Sequence, residues 1–275
     1  MQWLGSVLAA VVLVYGALLL LLWFAQEKLI FMPSKLDALH RFEFGPDVHD
    51  VWVERPGPQP VRLHALHLRL PAPDGIVFYL HGNAGNLASW FSDADFWRRA
   101  NLDLFMLDYR GYGKSGGRVQ GEEQLLADVR AAWEQVAPAY SARAAGKRRI
   151  VFGRSLGSAL AAKLSVEVTP DLTVLVSPYE SLQALAAEHY PWVPQALLRY
   201  PLRTDEAVAR LTNPVLFVHG ERDELIGLGH SERLLARASG AKDARLLKVL
   251  GAGHNDLQMF VQYQDGLRAA FARAR

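Results

Sequence analysis

The sequence predicts an α/β fold, a mostly parallel central sheet with helices on both faces, preceded by one N-terminal transmembrane helix. Three observations carry this. From residue 76 onward, short apolar β-like runs alternate with helical patterns, the signature of successive βα units. One such run, Arg149-Ile150-Val151-Phe152, leads directly into Gly153-Arg154-Ser155-Leu156-Gly157 and then into an Ala-rich helical stretch. Ahead of all this, Trp3 to Phe24 is almost wholly apolar and no charged side chain precedes Glu27.

The elements follow in chain order. About 20 apolar residues cross a bilayer core as a helix, and Trp3 and Trp23 fall near the two ends, where amphipathic rings sit. A cleaved signal peptide would show a basic start and a short core ending in small residues. Here Met1-Gln2 carries no basic side chain and the run ends Leu22-Trp23-Phe24. Residues 1–27 therefore read as an uncleaved single-pass anchor with the lipid bilayer as its partner, and 28–275 as one α/β domain. Lys28, Lys35 and Arg41 follow the helix and favour a cytoplasmic domain. Glu27, Asp37 and Glu43 are interspersed and long domains translocate regardless of such charges, so the side stays open. Residues 28–60, with Pro33, Pro46, Pro56, Pro58 and Pro60, read as an irregular connector. A β-like run covers Val61 to Leu70. Strands are expected at 76–80, 103–107, 149–152, 172–176, 214–218 and 246–250. Helices are expected near 87–100, 122–137, 156–167, 230–238 and 255–273. The segment at about 178–211 reads as a short lid; its Tyr179, Tyr190, Trp192 and Tyr200 either wall an apolar pocket or pack as an ordinary helical cap.

The chemistry starts at Ser155. In G-x-S-x-G between a strand and a helix, the serine sits on a turn so sharp that only glycines fit on either side. A hydroxyl there needs a base, a group that orients the base, and donors for an oxyanion. The chain order for this elbow is serine, acid, histidine. The apolar run Val215 to Val218 ends in His219-Gly220-Glu221-Arg222-Asp223, and Asp223 falls in the loop after the strand, where functional groups of open α/β sheets gather. By composition Glu221 and Glu224 serve equally well. The next run ends in Gly251-Ala252-Gly253-His254-Asn255-Asp256, which offers His254 as the base; Asp256 reads as a cap of the last helix. The oxyanion donors are the backbone N–H of Leu156, after the nucleophile, and that of Asn83 in His81-Gly82-Asn83-Ala84-Gly85-Asn86. His81 precedes the serine and reads as a structural histidine. Asp108 and Arg110 read as braces of the Gly-rich loop 108–116, where Ser115 has no elbow around it.

Composition excludes several classes. There is no cysteine, hence no disulfide, thiol chemistry or cysteine metal site. Net charge is +2 and the basic residues are scattered, so no nucleic-acid partner is expected. The one cluster, Arg143-Lys147-Arg148-Arg149, reads as a solvated loop or a contact to anionic headgroups. His64 and His67 lie three apart on a strand and so face opposite ways; no metal site is expected.

Taken together, residues 81–86, 108–116, 153–157, 219–223 and 251–256 resemble the α/β-hydrolase superfamily. More narrowly, they resemble single-pass, membrane-anchored serine hydrolases of the abhydrolase type, which are similar to prolyl-oligopeptidase-like serine hydrolases. The resemblance runs from about residue 28 to the C-terminus. It implies Ser155, Asp223 and His254 as a catalytic triad and the Asn83 and Leu156 N–H groups as the oxyanion hole. It implies a membrane-anchored enzyme, without cofactor, that cleaves a small acyl or ester substrate, lipid or other, through an acyl-enzyme. A peptidase or amidase with the same machinery is the second reading and a non-catalytic scaffold the third.

Overall fold

The computed structural model describes residues 2–57, 60–140 and 146–274, so that Pro58 and Arg143 lie outside the described residues. Eight strands form the main sheet: β1 (Val48–Arg55), β2 (Val61–Leu68), β3 (Gly75–Leu80), β4 (Asp103–Leu107), β5 (Arg148–Arg154), β6 (Leu172–Val176), β7 (Val215–Gly220) and β8 (Ala244–Val249). They lie side by side in the order β1-β2-β4-β3-β5-β6-β7-β8. β2 runs antiparallel to both β1 and β4; the others are parallel. This is the α/β-hydrolase fold.

The central strands read as continuous apolar runs because both faces are covered. Ile76, Phe78 and Leu80 of β3 enter one core with Val129 and Trp133 of α4 (Glu122–Val136) and Leu160 and Leu164 of α5 (Leu156–Val168). Val77 and Tyr79 of the same strand enter the other, with Trp97 of a short helix (Ala94–Arg99) and Leu267 and Phe271 of the last helix (Val261–Arg273). Successive side chains of a strand point to opposite faces, so a single run builds both cores.

Three expectations are corrected. Residues 48–55, read as part of an irregular connector, form the edge strand β1, paired with β2 from Val48↔Leu68 to Arg55↔Val61. Prolines flank that stretch without entering it, and an edge strand tolerates the outward His49, Asp50 and Glu54. The single helix expected near 87–100 is two short helices joined by a 3₁₀ turn at Phe91–Asp93. The last helix begins at Val261, and Asp256 does not cap it: its Oδ1 accepts from the Gly253 N–H (2.7 Å). Arg148 and Arg149 of the basic cluster start β5, at the end of the sheet opposite the elbow. There they engage Asp74 and Asp171.

That helix, α1 (Gln2–Ile30), is long and apolar enough to cross a membrane. It meets the domain along its C-terminal half, from Tyr15, whose hydroxyl donates to Trp192 O (2.8 Å), onward. Gln26 is buried there, donating to the Leu197 carbonyl (2.8 Å) and accepting from the Arg199 N–H (2.8 Å). Glu27 pairs with Arg199 and accepts from the Tyr200 hydroxyl (3.0 Å). Beyond α1, Met32–Pro33 pairs in parallel with Ala84–Gly85. Residues 177–211, between β6 and β7, carry α6 (Leu182–His189) and α7 (Thr204–Val208).

Candidate active site

The elbow at the end of β5 follows from two close approaches. A Cβ on Gly153 would lie 2.3 Å from the Gly157 carbonyl oxygen, and one on Gly157 2.0 Å from that of Leu80. Neither position accepts a side chain. Ser155, between them, is held at φ 52°, ψ −121°, outside the ordinary regions for an L-residue. Its N–H donates to Val176 O (2.9 Å), and its own carbonyl accepts from Ser158 Oγ (2.7 Å). The turn is thereby locked and Oγ is presented at the rim.

The loops after β7 and β8 converge on that oxygen. His254 Nε2 lies 3.1 Å from Ser155 Oγ, and His254 Nδ1 lies 2.8 Å from Asp223 Oδ2. Asp223 Oδ1 accepts from the N–H groups of Leu225 (3.1 Å) and Ile226 (2.8 Å). Burial alone would raise the Asp223 carboxyl. Contacts from His219 and His254 and the Ile226 N–H outweigh it and hold the group well below the usual carboxylate range. Of the two neighbouring acids, Glu221 instead accepts from the Gly251 N–H (3.2 Å), and Glu224 is exposed.

Leu156 and Asn83 both border the cavity at Ser155. Among the described residues, neither backbone N–H is engaged by another backbone carbonyl. The Asn83 peptide is fixed from its other side: its carbonyl accepts from the Met32 N–H (2.9 Å) and the Tyr112 hydroxyl (2.6 Å), while its Nδ2 donates to Ile30 O (3.2 Å). The chain leaving α1 thus orients the loop that carries Asn83. His81, fully buried, sits beneath that loop with Nδ1 2.7 Å from Gly82 O. Arg110 braces its loop as expected, against Asp128 of α4 (Nη2–Oδ1 3.0 Å). Asp108 ties the loop through its main-chain carbonyl, which accepts from Ser115 Oγ (2.7 Å), while both carboxylate oxygens are buried without a hydrogen-bond partner among the described residues.

Three contributors were not expected at the site. His219, buried, places Nε2 2.7 Å from Ile226 O and 3.4 Å from Asp223 Oδ2, wedging the acid loop; its place at the head of the 219–223 segment was a hint. Arg154 donates to His254 O (3.0 Å) and Gln258 Oε1 (3.1 Å), tying the elbow to the base loop; its place inside G-x-S-x-G was another. Leu22, Leu29 and Ile30 of α1 line an apolar cavity of about 560 Å³ beside Ser155, together with Leu185, Trp192 and Leu197. Nothing in the local sequence links α1 to that serine. Among the described residues no cluster of side chains has the spacing to hold a metal ion.

The family described as serine aminopeptidase, S33 matches residues 71–202. An uncharacterized protein of Mycobacterium tuberculosis is 35% identical over 260 residues, covering 92% of this chain and 89% of that protein. Alpha/beta hydrolase domain-containing protein 17B of Xenopus laevis is 30% identical over 206 residues, covering 74% and 68%. Among solved structures, an esterase of Pyrococcus furiosus aligns with a TM-score of 0.69 at 19% identity, over 89% of this chain and 97% of that one.

Proposed function

Because the chain belongs to the α/β-hydrolase superfamily, alongside the domain-containing 17 proteins, and is a serine hydrolase of the esterase type, we propose that it cleaves carboxylic esters through an acyl-enzyme on Ser155, at a membrane to which α1 anchors it. The observation that carries this is the relay from Asp223 through His254 to Ser155, at 2.8 and 3.1 Å, on a strained elbow.

Each step uses a group of this chain. His254 Nε2 takes the Ser155 proton as Oγ attacks the ester carbonyl carbon. Asp223, ionised and fixed by two backbone N–H groups, keeps the Nδ1–H tautomer and stabilises the imidazolium that forms. The Asn83 and Leu156 N–H groups receive the oxyanion; donors already aimed there need no reorganisation as charge develops. His254 then protonates the leaving alkoxide, and a water repeats the sequence on the acyl-enzyme. The cavity beside Ser155 is mostly apolar, which suits the acyl side of an ester.

Labelling with a fluorophosphonate tests the nucleophile. The wild type reacts and Ser155→Ala does not; equal labelling of both sinks the assignment. The match to a serine aminopeptidase family favours a second reading, amide cleavage. Comparing kcat/KM for acyl esters and aminoacyl amides on the unlabelled wild-type enzyme separates the two, and faster turnover of the amides would replace the ester.

A further inference from the structure

We propose that α1 is a wall of the acyl-binding cavity as well as an anchor, and that the acyl chain of a bilayer lipid enters sideways, out of the leaflet, between α1 and the tip of the β6–β7 insertion. This rests on the ester-hydrolase reading of the same site.

The first ground is the lining. The cavity beside Ser155 is lined both by Leu22, Leu29 and Ile30 of α1 and by Leu185, Trp192 and Leu197 of the insertion. An acyl chain on Ser155 would lie between the two.

The second is depth. The insertion follows α1 from Gln26, bonded to Leu197 and Arg199, back to Tyr15, whose hydroxyl donates to Trp192 O (2.8 Å). Eleven helical residues separate Tyr15 from Gln26, about 16 Å of axis. Tyr15 lies near the middle of the apolar run Trp3 to Phe24. With α1 across a bilayer core of about 30 Å, the backbone at Trp192 reaches well into the same leaflet.

The third is composition. No charged side chain occurs from Tyr190 to Leu198. Tyr190 and Trp192 are 57% and 46% exposed, an apolar tip turned outward beside an apolar helix. Charge resumes at Arg199, which pairs with Glu27 and lies over the Trp23 ring (5.3 Å), the grouping expected at a membrane–water boundary. Asn83 meets the last residue of α1, its Nδ2 donating to Ile30 O (3.2 Å), and Ser155 lines the same cavity; in the proposed arrangement both lie on the watered side of that boundary. A lipid ester can then place its carbonyl at the serine while its chain stays among apolar side chains, so extraction exposes little apolar surface to water.

The test uses the full-length protein in phosphatidylcholine vesicles. A hexadecyl fluorophosphonate bearing a diazirine at the tail end is attached to Ser155 and irradiated. Attachment of the tail within residues 22–30 or 185–198 supports the proposal, and attachment elsewhere overturns it. Failure of the probe to label Ser155 refutes instead the serine-hydrolase assignment beneath it. A second measurement is independent of the probe. In Leu22→Trp and Leu29→Trp, the ratio of kcat/KM for p-nitrophenyl dodecanoate to that for the butyrate should fall about tenfold, as an indole fills the space of the distal carbons. A ratio equal to wild type in both variants overturns the wall. Trp192→Glu places a charge in the leaflet and should lower turnover of a vesicle-resident acyl lipid relative to the butyrate; an unchanged ratio overturns entry from the leaflet.

Discussion

Two histidine–aspartate pairs stand at the same rim of the sheet, on either side of the elbow, and they differ in everything but composition. His254 and Asp223, from the loops after β8 and β7, are 2.8 Å apart, and the imidazole is partly open and within reach of Ser155. His81 and Asp108, after β3 and β4, are 3.5 Å apart with both side chains at zero exposure. The decisive difference is in the backbone. Asp223 takes N–H groups from Leu225 and Ile226, so it is fixed, stays ionised and can orient an imidazole. The Asp108 carboxylate takes no hydrogen bond among the described residues, and His81 turns Nδ1 to the Gly82 carbonyl. Residue type sets what a pair is able to do; the peptide donors around the acid decide whether it does it.

The sharpest test sets His254→Ala against His81→Ala. Loss of His254 or Ser155 should lower kcat by about 10⁶-fold, with the melting temperature within a few degrees of wild type, because His254 is a partly open loop side chain. Loss of His81 should do the reverse. It leaves a void under the Asn83 loop, costing about 2–3 kcal/mol of stability by denaturant titration, while kcat falls only about 10–100-fold as the oxyanion donor loosens. If His81→Ala matched His254→Ala in kcat with unchanged stability, the division of roles would be wrong.

Asp223→Asn comes next. The amide cannot hold the Nδ1–H tautomer, so kcat should fall about 10⁴-fold. The depressed Asp223 carboxyl also makes a stability claim. A group whose folded value lies below its unfolded value, near 3.9, contributes stability fully above that value and loses it as pH falls toward the folded one. The stability gap between wild type and Asp223→Asn should therefore be constant from about pH 5 upward and narrow only below about pH 4. A gap that closes near neutrality would mean that the carboxylate is not held down by its donors.

What the sequence made legible follows the same division. Ser155, Asp223 and His254 stand out because each lies in a short glycine-bearing turn after an apolar run, and such turns are local. The fold was readable for the same reason, strand by strand, except β1, where prolines flank a strand whose apolar residues do not alternate. Contacts made across the tertiary structure had no local mark. Arg154 reaching His254 O and α1 meeting the Ser155 cavity join residues about 100 to 130 positions apart. The bracing role expected of Asp108 falls to its main-chain carbonyl, which accepts from Ser115 Oγ, and not to the carboxylate.

The smallest effect is expected at Asp108, and it is the one that probes the comparison from the other side. The carboxylate is fully buried, its oxygens lack partners, and a Cβ on Gly113, which sits at φ 46°, would lie 2.0 Å from Oδ2. The space therefore suits a side chain of this shape and no larger. Asn has nearly the same shape and removes any charge from a site that does not solvate it, while bringing donors that face His81 Nε2. A buried charge without hydrogen bonds adds nothing to stability, so Asp108→Asn should leave stability within about 1 kcal/mol of wild type and kcat/KM within about threefold. Set beside the 10⁴-fold loss at Asp223→Asn, that would place the whole catalytic demand for a carboxylate on the pair whose acid is held by backbone. A collapse of activity in Asp108→Asn, with the fold intact by circular dichroism, would instead make the buried pair a working part of the oxyanion loop.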